Sequence, residues 1–173
     1  MNYLKNKKCY LCGSILMAKD DGVQWREMVT NKLNKFGVEV LNPCKKVLNG
    51  KEIGDDKARF KKIILNEKWG EIKKEFWPVV RTDLRFVDHS DFLIFNYDAK
   101  SPTIGSVHEL VVANFEKKII LLKYNKKDLK FFNPWICTFI KEHNFFSDWN
   151  KMFEYLEGIN NGKFDTSLWV LNN

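Results

Sequence analysis

The chain has 173 residues, an apolar fraction of 45% and a formal net charge of +7. That length suits one domain around one sizeable core, and that composition excludes a disordered chain. No run of about 18 apolar residues occurs, which excludes a membrane-spanning helix, and the lysines are scattered among acids rather than gathered in a nucleic-acid-binding stripe.

The first eight residues are polar and basic. The apolar stretch that follows, Cys9 to Ala18, is interrupted by Gly13 and Ser14 and runs into Lys19-Asp20-Asp21. It reads as a buried strand and loop rather than a secretory signal, so a cytoplasmic protein is expected. Lys8 to Cys12 forms the strand. Val23 to Phe36 has helical periodicity through Trp25, Met28, Val29, Leu33 and Phe36, and Gly37 is placed to end that helix. Val38 to Leu41 is a second strand, stopped by Asn42-Pro43. A loop from Lys46 leads to a helix over about Asp55 to Asn66. Another helix is expected from Phe76 to Asp88, with Pro78 in its first turn.

Asp91 to Tyr97 is the clearest strand, and its apolar run predicts burial on both faces, as in a parallel sheet. A loop over Asp98 to Thr103 leads to a helix over Gly105 to Glu116. Ile119 to Lys123 is the next buried strand, and Asn144 to Phe146 a short further one. Ser147 to Glu157 reads as a helix capped by Ser147 or Asp148. The alternation predicts a single α/β domain over residues 1–173, with a core of about 8–157 and a tail of 158–173. The sheet is expected to be open and mainly parallel, with flanking helices. Ligands of such folds sit beyond the carboxyl ends of the strands, so the loops after Cys12, after Tyr97 and around Gly105 should share one site. The tail is expected to reach a neighbouring subunit through Leu168, Trp169 and Val170.

Cys9 and Cys12 have C-x-x-C spacing, but no second ligand pair accompanies them, and residues three apart on a strand face opposite ways. They read as small buried residues. His89, His108 and His143 show no metal-ligand spacing. No metal or organic cofactor is expected.

Glu109 stands one turn into its helix, after a strand and loop. Gly105 lets a ligand approach the backbone, and the helix N-terminus favours an anion. A carboxylate held there can attack an anomeric carbon and form a covalent glycosyl intermediate. On spacing alone, a first-turn Glu that complements the helix dipole is the commoner reading. Asp91 abuts its strand and reads as a hydrogen-bonding residue at the strand entry. Asp83, on a helix, has no such role, although an exposed helix Asp is common.

Four segments in order resemble the nucleoside 2-deoxyribosyltransferase family, in its phage and bacterial form, and the related 2′-deoxynucleoside 5′-monophosphate N-hydrolases. They are Tyr10-Leu-Cys-Gly-Ser-Ile15; Trp25-Arg26 after Asp20-Asp21-Gly22; Asp83-Leu-x-x-Val-x-x-Ser-Asp91; and Thr103-x-Gly105-x-x-x-Glu109-Leu-x-x-Ala113. The resemblance covers roughly Cys9 to Leu122. It implies a flavodoxin-like or Rossmann-like fold and a homo-oligomer whose subunits share active sites. It also implies cleavage of the N-glycosidic bond of a nucleoside or nucleotide, with a free nucleobase as partner. Glu109 is then the nucleophile on C1′, Asp83 protonates or orients the leaving base, and Tyr10 positions the nucleophile. Gly13 and Ser14 approach the sugar or a 5′ group, and Gly105 lines the same site. Several transferases carry an Asp six residues before the nucleophile; this chain has Thr103, which looks more like the nucleotide hydrolases. For an anionic substrate, Ser14, Ser106 and Arg26 are candidate phosphate contacts. Two other readings compete: a non-catalytic nucleotide-binding protein on the same fold, and a protein that binds nucleic acid through its basic surface.

Overall fold

The computed structural model describes residues 2–15, 18, 20–48, 51–52, 57–167 and 169. The first strand, β1 (Lys8–Gly13), is followed by α1 (Val23–Asn34) and β2 (Glu39–Leu41). A short 3-10 turn, Pro43–Lys45, leads into a hairpin of β3 (Val47–Leu48) and β4 (Lys51–Glu52). Then come α2 (Lys57–Leu65), α3 (Trp69–His89), β5 (Phe92–Asn96), α4 (Ile104–Phe115) and β6 (Ile119–Lys123). The chain continues through α5 (Pro134–Cys137), β7 (Phe145–Phe146) and α6 (Trp149–Asn160).

Five strands form one sheet in the order β2-β1-β5-β6-β7. Every pairing in it is parallel. The expected open α/β domain is therefore the observed one. The antiparallel pair β3–β4 is a separate small sheet that the sequence reading did not anticipate.

Alternation along β1 divides the core. Cys9 and Leu11 join Val29 and Leu33 of α1 and Met152, Leu156 and Ile159 of α6 on one face. Tyr10 and Cys12 join Val87 of α3, Leu110 and Ala113 of α4 and Ile136 of α5 on the other. The strand period of two is the cause. The two cysteines thus lie in different cores, and both are free.

Gly37 ends the first helical region at φ 75°, and its N–H bonds the carbonyl of Asn34. Asp148 caps α6 by accepting from Lys151 N at 2.9 Å. Asp91 takes the strand-entry role: its Oδ2 accepts from Lys8 N at 2.7 Å, and its own N–H donates to Lys8 O at 2.8 Å.

Two expectations need correction. Pro78 is not in a first turn but inside a 21-residue helix that starts at Trp69. Pro78 lies on the exposed side, while Ile72, Phe76, Val79, Val80, Asp83 and Phe86 form a half-buried stripe at spacings of three and four. That stripe carries the helix past the missing proline donor. The tail does not leave its own chain at Trp169. This side chain is buried on the first core, 5.3 Å from the Phe92 ring, and its Nε1–H donates to the Tyr155 hydroxyl at 3.1 Å. Leu168 and Val170 lie outside the described residues.

Candidate active site

The parallel sheet brings the carboxyl ends of β1 and β5 beside the start of α4. Tyr10 and Cys12 point from β1 toward α3 and α4, and both are 1% exposed. The Tyr10 ring packs 6.0 Å from Phe86 of α3.

Glu109 lies on the inner face of α4 with Ser106, Leu110 and Ala113. The carboxylate is buried, and its partners come from β1. Cys12 Sγ donates to Glu109 Oε2 at 3.0 Å, and the Tyr10 side chain is a second hydrogen-bond partner. Burial first, then the nearby Asp83 charge, raises the Glu109 carboxyl to about 7; the bonds from Cys12 and Tyr10 and the Lys46 ammonium oppose that rise. A carboxyl group that changes charge near neutral pH suits catalysis better than helix capping. Burial also pushes the Cys12 thiol well above its ordinary value, with the Glu109 charge adding to the effect, so Cys12 stays a protonated donor.

Asp83 reaches the same place from α3. Lys46 Nζ donates to both of its carboxylate oxygens, each at 2.6 Å. The Lys46 side chain is 4% exposed and that of Asp83 14%. Burial raises the Asp83 carboxyl, and Lys46 opposes this by charge and hydrogen bond. Lys46 had no sequence signal: it is one lysine among many, just after a turn. Cys12 was visible in the sequence, but only as half of a C-x-x-C pair.

Ser106, which shares the inner face of α4 with Glu109 and whose carbonyl accepts from Cys12 Sγ, borders a cleft lined also by Ser14, Asn96, Tyr97, Asp98 and Thr103. The Thr103 hydroxyl donates to Ser106 Oγ at 2.7 Å. The Ser14 and Tyr97 hydroxyls are buried and lack a hydrogen-bond partner among the described residues. Gly105 borders open space, so its missing side chain leaves the helix start accessible. Gly13 is different. A Cβ there would lie 3.0 Å from Trp25 and 3.1 Å from the Asn96 carbonyl, so this glycine makes room for the protein's own packing.

Arg26 is not an open phosphate contact. It is 0% exposed, and its guanidinium donates to the carbonyls of Leu11 at 3.2 Å, Gly22 at 2.9 Å and Gly13 at 2.8 Å. Its place in α1 explains this: it shares the buried side with Val29 and Leu33. The guanidinium ties the loop after β1 to the helix and leaves its charge beneath the site. The three histidines are exposed.

The sequence matches no protein-family model and no curated protein. Solved structures do match. A 2-deoxyribosyltransferase from Bacillus psychrosaccharolyticus superposes with a TM-score of 0.57 at 19% identity, over 86% of this chain and 91% of that one. The chain has the fold of a 2-deoxyribosyltransferase. A conserved protein from Enterococcus faecalis V583 superposes with a TM-score of 0.56 at 16% identity, over 89% of this chain and 99% of that one. The CMP N-glycosidase BcmB from Clostridium botulinum is a looser match, with a TM-score of 0.48 at 17% identity over 90% and 99% of the two chains. In this fold Tyr10, Cys12, Asp83 and Glu109 converge at the carboxyl side of the sheet. Among the described residues, no helix is long and apolar enough to cross a membrane.

Proposed function

We propose that this protein cleaves the N-glycosidic bond of a nucleoside or nucleotide, with Glu109 as the nucleophile. The observation that carries the reading is the buried Glu109 carboxylate, held by Cys12 and Tyr10 beside Asp83, one turn along α4 from Ser106, which lines a cleft. In the first step a Glu109 oxygen forms a bond to C1′, and the electron pair of the C1′–N bond leaves with the base. Asp83 faces that base as a hydrogen-bonding group. In the second step a nitrogen of an incoming base, or a water oxygen, bonds to C1′ as the C1′–O bond to Glu109 breaks, and the proton it gives up balances the one taken by the departed base. The first route is transfer and the second is hydrolysis. Neither route requires a metal or organic cofactor.

The partnerless hydroxyls of Ser14 and Tyr97, with Thr103 and Ser106 at the start of α4, support a polar sugar or 5′ group in the cleft. Helix starts favour anions there, so a 5′-monophosphate fits as well as a free hydroxyl. A homo-oligomer belongs to the same reading. Ile104 is 91% and Phe115 80% exposed at the two ends of α4.

The test is incubation with 2′-deoxynucleosides, ribonucleosides and their 5′-monophosphates, with and without a free acceptor base, followed by chromatography of the bases. Free base, or a new nucleoside that needs the acceptor, is expected from the native protein and neither from Glu109→Ala. Tight nucleotide binding with no base release from any substrate would overturn the catalytic reading.

A further inference from the structure

We propose that Lys46 is a positioning residue of this site: it holds Asp83 as a charged acceptor beside Glu109. The inference rests on the glycosidic reading and adds a residue that neither the sequence motifs nor the fold assigns.

The geometry comes first. Lys46 Nζ bonds both oxygens of Asp83 at 2.6 Å. A protonated carboxyl would present an O–H to one of the ammonium donors, so this bidentate contact is that of an ion pair. Both side chains are largely buried. Exposed ion pairs contribute little, whereas a buried pair carries a desolvation cost that its mutual attraction only partly offsets. The fold nevertheless fixes the lysine here. Lys46 follows a turn capped by Asn42, whose side chain accepts from Cys44 N at 2.9 Å. Cys44 Sγ in turn bonds the Asp21 carbonyl at 3.5 Å, in the loop that Arg26 ties down.

The charges around the pair come from every neighbouring element. Tyr10 and Cys12 on β1, Arg26 on α1, Cys44 on the turn and Glu109 on α4 all act on it or on each other. Arg26 is committed to carbonyls, so among the described residues Lys46 is the cation bonded directly to a carboxylate of the site. Asp83 opposes ionisation of Glu109 and Lys46 favours it. Asp83 keeps free lone pairs to accept an N–H of the base. Lys46 bonds Asp83 and exchanges nothing with the substrate.

The experiment compares pH profiles of kcat/KM for native protein, Lys46→Met and Lys46→Arg, with folding checked by circular dichroism. The acid limb should move up by about one pH unit in Lys46→Met, the lower end of the effect of removing a close opposite charge, and stay in place in Lys46→Arg. At neutral pH the loss should fall on kcat more than on KM. Carboxyl-carbon NMR of Glu109, assigned with Glu109→Gln, reads the same displacement without turnover. An inactive native protein therefore sinks the glycosidic reading while leaving Lys46 decidable. If Lys46→Met does not fold, Asp83→Asn is compared with Asp83→Asn/Lys46→Met, where an added upward displacement is expected. A folded Lys46→Met, alone or on Asp83→Asn, whose Glu109 titrates as in its parent overturns the proposal.

Discussion

Cys12 Sγ lies 3.0 Å from Glu109 Oε2, and both groups are buried. Burial keeps the thiol protonated, so it serves as a donor to the carboxylate and not as a second anion beside it. A donor to the charged form lowers a carboxyl pKa. Cys12→Ala removes that donor and should lift the acid limb of activity by roughly half to one pH unit, the equivalent of about 1 kcal/mol. Cys12→Ser keeps a donor and should stay near the native profile. Equal profiles for native protein and folded Cys12→Ala would deny the thiol this role.

Glu109 should also leave a mark on stability. Its folded value of about 7 exceeds the ordinary 4.5. Between those two pH values the folded state holds the proton more tightly than the unfolded state does. Stability from this group is therefore complete below about 4.5 and lost as pH rises through about 7. The difference corresponds to roughly 3 kcal/mol at most. Glu109→Gln keeps a neutral group there at every pH. Its Tm should exceed the native Tm by several degrees at pH 8, with the advantage shrinking toward pH 4.5. A Tm difference that does not change with pH would contradict the assignment.

Arg26 supports the site from beneath. Arg26→Met leaves three buried carbonyls without their donor and should cost on the order of 3 kcal/mol or more. Arg26→Lys keeps the charge but not the planar fork, so it should rescue only part of the loss. Gly22→Ala should fail similarly, because Gly22 sits at φ +70° and a Cβ there would collide with the Arg26 guanidinium. Urea denaturation reads all three. A native midpoint for Arg26→Met would show that the loop stands without it.

Asp91, at the strand entry, and Asp83, beside Glu109, should part company on substitution. Asp91→Ala removes the acceptor for Lys8 N and should cost about 1–2 kcal/mol, with base release per folded molecule within about twofold of native. Asp83→Ala should abolish most of the activity. Denaturation midpoints and base-release assays on the same preparations separate the two effects.

The long apolar strands were legible because their burial pattern is their sequence pattern. Phe92–Asn96 and Ile119–Lys123 are buried on both faces, and continuous apolar runs predict that. Glu109, Asp83 and Tyr10 were legible as motif positions, and the fold gathers them. The opening turns of helix α3, before Phe76, were not, because Gly70 and Pro78 carry strong local signals that a half-buried stripe outweighs. Lys46 was illegible for a different reason. Its partner is 37 positions away, and nothing in a lysine-rich sequence separates the buried ammonium from the solvated ones. Arg26 was read from a motif as a ligand contact, but only packing reveals that its donors are consumed.

The strand order has a consequence for how the molecule comes into being. β1 sits between β2 and β5, so one of its edges has no partner until Phe92–Asn96 has been made. At typical elongation rates that interval is on the order of ten seconds on the ribosome. Throughout it, an apolar strand edge stands open to other chains. Cys12 and Glu109 are 97 positions apart, so the nucleophile meets its donor only after most of the domain has been synthesised. Nascent fragments that stop short of α4 carry the hazard of that edge without any of the chemistry.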